Sequence, residues 1–300
     1  MTANSYWTTS FTVAFATIPA LAGASLLYGQ IGLISLCQFA LAGVGGWVAL
    51  RVYDAFHPPF EISVLAGAVA ASLIGILWGL PALKLRGLYL AMATLMFAGT
   101  FQTVISIWNF PIGGSGFLAT AGANGVAEVL IGRPALATSG ERYFVWVGLV
   151  ALISLLVVEA HRYAKPGRAW ALLRRDERMA IASGVRPVFY KAWGFALAGL
   201  LAGTSGALLA GTYGQLDSSA FNSQESIMLF VASVLGGTTN WVGTVLGSLL
   251  LRLVPGFFND IGVSATVSSL LFGVGLIHAI TSTSGGIAGS VDRFLDRFFD

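Results

Sequence analysis

Asp, Glu, Lys and Arg are absent from long windows of this chain: 11–50, 62–83, 87–127, 143–158, 192–216, 226–251 and 261–291. An apolar run of about 20 residues, rising 1.5 Å per residue as a helix, crosses a hydrocarbon core of roughly 30 Å. The windows and their breaks therefore predict an all-α, polytopic transmembrane helical bundle, one domain over 1–300, with about eight membrane segments. These are 11–28, 31–51, 62–82, 87–108, 143–159, 192–213, an interrupted 225–253, and 262–282. A β-barrel would need ten-residue stretches of strict alternation, which the sequence lacks. The start, "MTANSYWTTS", has no positive region ahead of the first apolar run, so 11–28 reads as a retained helix rather than a cleaved signal.

Two breaks in the pattern matter. The stretch 225–253 is interrupted by "GGTTNWVG" (236–243). Read as two half-helices turning at Gly236–Gly243, each arm of about 11–13 residues is too short to span, and the segment re-enters. Irregular backbone at membrane depth is tolerated only where it is buried in protein or lines a cavity, so this turn is a candidate part of a pathway. The alternative is a glycine-kinked packing helix. The early stretch with Gly29, Gly32, Gly43, Gly45 and Gly46 is similarly broken, and interrupted helices in corresponding halves are a transporter pattern. Gly199-x-x-x-Gly203, Gly203-x-x-x-Ala207 and Gly243-x-x-x-Gly247 read as ordinary close helix packing.

The charged residues orient the bundle. Arg162, Lys165, Arg168, Arg174, Arg175, Arg178, Arg186 and Lys191 are half of the 16 basic residues and fall in one loop, 161–191, which is therefore cytoplasmic. The loop with Lys84 and Arg86 is then cytoplasmic too, and 52–61 and 109–142 lie outside. The net charge of +3 reflects loops and not a basic face for nucleic acid.

Chemistry inside the spans is sparse. His278 is the one titratable side chain placed well inside an apolar window, so the carboxylates of a proton-driven transporter are missing. A sodium-coupled or facilitative transporter, using carbonyls and hydroxyls, stays open. The lysines, Lys84, Lys165 and Lys191, follow Leu, Ala and Tyr, so no P-loop is present and energy would come from another subunit. "GTSG" (203–206) with His278 resembles the serine and histidine of rhomboid intramembrane proteases, with Ser205 as nucleophile. A second Gly-x-Ser-Gly at 113–116 makes chance occurrence the simpler reading. His57, His161 and His278 have no metal-ligand spacing, and the single Cys37 reads as a packed core thiol. The chain is expected to carry no cofactor, metal site or catalytic residue of its own.

The loop segment "PGRAWALLRRDERMAIASG" (166–184) predicts a cytoplasmic helix of about four turns, entered at Pro166 and left at Gly184. Glu177, Ala180 and Gly184 fall on one face, where small residues let another surface approach. A positive anchor on the lipid surface would explain the arginines but not that face. Glu-x-x-Ala-x-x-x-Gly resembles the coupling motif of ATP-binding-cassette importer permeases. The surrounding "GRAWALLRRDERMAIASGVRPVFYKAW", with "YGQIGLISLCQFALAGVGGWVAL", "LRGLYLAMATLMFA" and "SVLGGTTNWVGTVLGSLLL", is similar to the permeases of branched-chain amino acid importers over most of 28–280. Departures are Leu88, where an acid is common in that family, Cys37–Gln38, and the "GGTTNWVG" turn. Relatives also carry urea and short amides, which leaves the substrate open.

The resemblance implies a multi-pass permease of the bacterial plasma (inner) membrane. It implies a related permease subunit or a second copy as partner, two cytoplasmic ATP-binding subunits that hold the ATP, and an extracytoplasmic substrate-binding protein on the outer loops. It assigns ATPase coupling to Arg174, Arg175, Asp176, Glu177, Arg178, Ala180 and Gly184. Polar residues beside helix breaks are the pathway candidates: Gln30, Ser35, Gln38, Asn109, Ser115, Thr238 and Asn240. The tail 291–300 reads as an interfacial amphipathic helix.

Overall fold

A computed structural model describes residues 3–260 apart from 86, 108–130, 215, 217 and 239, together with 267, 270, 271, 273, 274, 277 and 289. Asn109, Ser115, His278, most of the expected segment 262–282 and the tail 291–300 lie outside the described residues. Within them, helix α1 (Ala3–Ser25) continues into a π-helical turn (Leu26–Ile31). Then come α2 (Gln38–Phe56), α3 (Phe60–Gly79), α4 (Leu88–Ile107) and α5 (Gly140–Tyr163). The short α6 (Lys165–Arg175) and α7 (Glu177–Ala182) lead to α8 (Pro187–Tyr213), α9 (Ser223–Gly236) and α10 (Trp241–Asp260). Six helices among the described residues are long and apolar enough to cross a membrane, beside the shorter apolar helices Leu88–Val104 and Ser223–Gly236. The chain is a polytopic helical bundle.

The burial pattern is that of a protein dissolved in lipid. On α3 the large apolar residues Ile62, Leu65, Val69, Leu73 and Leu77 are exposed at helical spacing, while Ser63, Gly67, Ala71 and Gly75 on the same helix face inward. Lipid tails are as apolar as Leu, so burying Leu gains little there. Helices associate instead through close packing of small residues. α8 is the centre of this arrangement and is buried along most of its length against α1, α2 and α3. A side chain on Gly45 would run into the backbone of Gly203, one on Gly67 into the Gly45 carbonyl, and one on Gly206 into the Ala42 carbonyl. The small residues at four-residue spacing on α8 are thus contact points between backbones. Ser205 is fully buried among them.

Two expectations are corrected. The interruption after α9 is present, but only the first arm is short. α9 has 14 residues, about 21 Å of helix, whereas α10 runs on past 253 to Asp260 through Pro255. Arg252 does not end α10, because its side chain turns inward to Glu225, Thr17 and the Phe39 ring, and the sequence beyond it stays apolar. The segment 166–184 is two helices and not one. Asp176 is extended (φ −157°, ψ 121°), and its carboxylate accepts the Arg178 N–H at 2.7 Å, starting α7 afresh. Aspartate competes for backbone N–H groups and so favours a cap over a helix interior.

Candidate functional site

The segment formed by α6 and α7 is fixed to the bundle by buried side chains. α6 buries Ala169, Trp170 and Leu173; the Trp170 ring is fully enclosed, and its Nε1 donates to the Tyr190 carbonyl at 2.8 Å. α7 ends in a Schellman pattern: Val185 N–H reaches the Ala180 carbonyl at 3.0 Å, and Gly184 N–H reaches that of Ile181 at 2.9 Å. That turn requires φ +80° at Gly184, which glycine adopts without steric cost. Replacing Asp176 by Ala removes the cap of a six-residue helix and is expected to cost about 1 kcal/mol locally. Amide exchange across 178–182 should quicken; unchanged rates would contradict the capping role.

The residues expected to couple divide into two sets. The Glu177 carboxylate bonds Lys191 Nζ at 3.1 and 3.2 Å, and Ala180 is fully buried. These two share a face, but it is turned toward the bundle, with Glu177 tied to α8. Exposed instead are Arg175, Arg178, Met179, Ile181 and Gly184, an apolar pair edged by arginines. Spacing placed Glu177, Ala180 and Gly184 on one face, but α7 ends at Ala182, so only Glu177 and Ala180 share it and Gly184 lies exposed beyond.

Arg174 does something the sequence did not disclose. Its guanidinium donates to the carbonyl of Gly29, in the π-helical turn ending α1, and its aliphatic stem lies against Gly32. The chain leaves the helix at Gly32 (φ +79°) and runs non-helically to Cys37. Carbonyls at such an end lack intrahelical donors, and a cation there also meets the negative end of the helix dipole.

Gly29 packs against Thr238, so the break after α1 and the break between α9 and α10 abut. Three pathway candidates meet there: Gln30, Thr238 and Asn240 line one small cavity with Ser25, Glu159 and Arg162. Arg162 pairs with Glu159 at 2.8 Å. Ser35 and Gln38 do not line it. Ser35 Oγ lies 3.3 Å from Cys37 Sγ. Gln38 is fully buried, with no hydrogen-bond partner for its amide among the described residues.

Arg51 and Arg252 were missed as intramembrane charges. Arg51 is fully buried in α2, and Arg252 lies within the apolar stretch Trp241–Phe258. Windows bounded by charged residues place every charge at a window edge by construction. The apolar run resuming after Arg252 was the available signal.

A helical membrane bundle whose charged α6–α7 segment is linked to two abutting interrupted spans has the build of a transport permease. The chain belongs to the family described as branched-chain amino acid transport system, permease component, which matches residues 7–280. It is 30% identical over 253 residues to the high-affinity branched-chain amino acid transport system permease protein LivM of Escherichia coli (strain K12), covering 75% of this chain and 54% of that protein. The LivM protein of Salmonella typhimurium matches to the same extent. The ribose import permease protein RbsC of Bacillus subtilis (strain 168) is 26% identical over 151 residues, 47% of each chain. The chain spans about half the length of these curated relatives. No solved structure matches.

Proposed function

We propose that the chain is the transmembrane subunit of an ATP-driven importer of the bacterial inner membrane, forming the pathway for branched-chain amino acids or similar small polar molecules. Two cytoplasmic subunits bind ATP and dock on 166–186 through Met179, Ile181 and the arginines around them. A related permease subunit, or a second copy, completes the pathway. A substrate-binding protein delivers from outside, onto loops that include 109–142. The observation that carries this reading is the Arg174 link to Gly29, because it joins a docking segment to the interrupted spans. Force applied to α6 and α7 reaches the cavity of Gln30, Thr238 and Asn240 through Arg174 and through the end of α5, whose Glu159 and Arg162 line it. Differential docking in two states then biases the outward- against the inward-facing arrangement.

Affinity purification from membranes should bring down an ATP-binding subunit, and uptake into liposomes should require ATP. Transport by the chain alone in ATP-free liposomes would sink the proposal and favour a facilitative carrier. Glu177→Ala deprives the nearly buried Lys191 of its carboxylate, a loss of roughly 3 kcal/mol for a pair of this burial. Uptake per ATP hydrolysed should fall at least fivefold. A normal ratio would remove Glu177 from the coupling path.

A further inference from the structure

A second cavity, of about 400 Å³, lies at the other end of the spans. Val13 and Thr17 precede Gly29 on α1 by 16 and 12 residues, on the order of 20 Å of helix. With α6 and α7 cytoplasmic, this cavity sits in the outer half. Its apolar wall includes Val13, Phe39, Leu209 and Phe221, and its charged wall is Glu225 and Arg252. The volume falls in the range of small-molecule sites, which are apolar with a few placed polar groups.

The charged wall is unusual for its surroundings. Arg252 Nη1 meets Glu225 Oε2 at a single 3.3 Å contact, and Arg252 Nε lies 3.4 Å from Thr17 Oγ1. The guanidinium carries five N–H donors, and among the described residues these two contacts engage only two of them. Its plane rests 5.1 Å from the Phe39 ring centre, and Phe39 stacks on Phe221 at 5.3 Å. Ionisable groups within a membrane are costly and are retained at substrate or ion paths. The pair is loose, partly exposed (21% and 34%), and opens onto the cavity.

We propose that this cavity binds the zwitterion of an aliphatic α-amino acid, with Arg252 taking its carboxylate, Glu225 its ammonium, and the Val13–Leu209–Phe39 wall its side chain. An α-amino acid carries its two charges on one carbon and its apolar group beside them, and the cavity has the same layout: an adjacent cation and anion facing an apolar wall. Entry of the ligand exchanges one internal ion pair for two, with no change in net charge. The proposal rests on the reading of the chain as an amino acid importer, and deepens it by naming the residues that recognise the head group.

The test is uptake of radiolabelled L-leucine by the assembled transporter in ATP-loaded proteoliposomes, at equal amounts of copurified complex. If the unaltered transporter moves no aliphatic amino acid, the importer reading fails first. If it does, Glu225→Gln and Arg252→Gln should each lower uptake at least tenfold. The exchanged pair, Glu225→Arg with Arg252→Glu, should stay impaired, because the charges then lie reversed relative to the apolar wall. Near-normal uptake by the single variants, or full recovery by the exchanged pair, would reduce the contact to a staple between α9 and α10 and overturn the site. Should the variants fail to assemble, the unaltered transporter without its binding protein decides. L-Leucine should raise its unfolding midpoint, while 3-methylbutylamine and 4-methylpentanoate at the same concentration should not. Equal shifts from all three, or none, overturn the proposal.

Discussion

Arg174→Ala is expected to uncouple ATP hydrolysis from transport. The guanidinium joins α6 to the carbonyl of Gly29, and among the described residues no other hydrogen bond from α6 reaches the end of α1. A hydrogen bond from a charged donor to such a carbonyl is worth roughly 1.5–3 kcal/mol. Its loss should leave α6 in place, because Trp170 and Leu173 still anchor that helix. ATPase subunits should therefore copurify in normal amount while uptake per ATP falls tenfold or more. Arg174→Lys should recover part of the loss, since one ammonium can reach one carbonyl but lacks the planar fork. A normal uptake-to-ATP ratio in Arg174→Ala would show that force enters by another route.

Gly206→Leu should prevent folding. Its side chain would have to occupy space held by the Ala42 carbonyl and by the backbone of Gly46, and backbone in a helix pair cannot step aside as a side-chain tip can. Overpacking usually costs 1–3 kcal/mol, and a collision with main chain belongs to the exceptional cases above about 4 kcal/mol. Gly99→Leu is the matched control, because nothing lies within 4 Å of the position its Cβ would take. In detergent, the Gly99 variant should elute as a monodisperse peak at normal yield and the Gly206 variant should not. Similar behaviour of the two would refute backbone contact as the basis of the α2–α8 packing.

Much of the bundle was legible because membrane spans impose a length and a composition. Charge-free windows located α1 to α5 and α8, and glycine density located both interruptions. Events decided by a single side chain were less legible. Asp176 divides the segment 166–184 because a carboxylate can satisfy the next helix's N–H groups, yet a helix-compatible count passes over it. Arg252 lies inside a span because partners from α1, α2 and α9 converge on it, and no periodicity on α10 announces them. For the candidate site, adjacency to breaks selected Gln30, Thr238 and Asn240, which line one cavity. It also selected Ser35 and Gln38, which lie near the same break in sequence but do not line that cavity. Distance along a broken chain is a poor measure of distance across it.

The turn that closes α1 has a geometric consequence of its own. A π-helical turn holds more residues than an α-helical one, with hydrogen bonds reaching one residue further. Passing one residue between the two forms advances the following chain by about 1.5 Å and rotates it by about 100°. Gly29 lies within that turn, and Arg174 grips its carbonyl. The α6–α7 segment thus holds the first span at the one place among its described residues where the winding number is not that of an α-helix. A screw-like step there would turn Gln30, the residue after Gly29, against the break that holds Thr238.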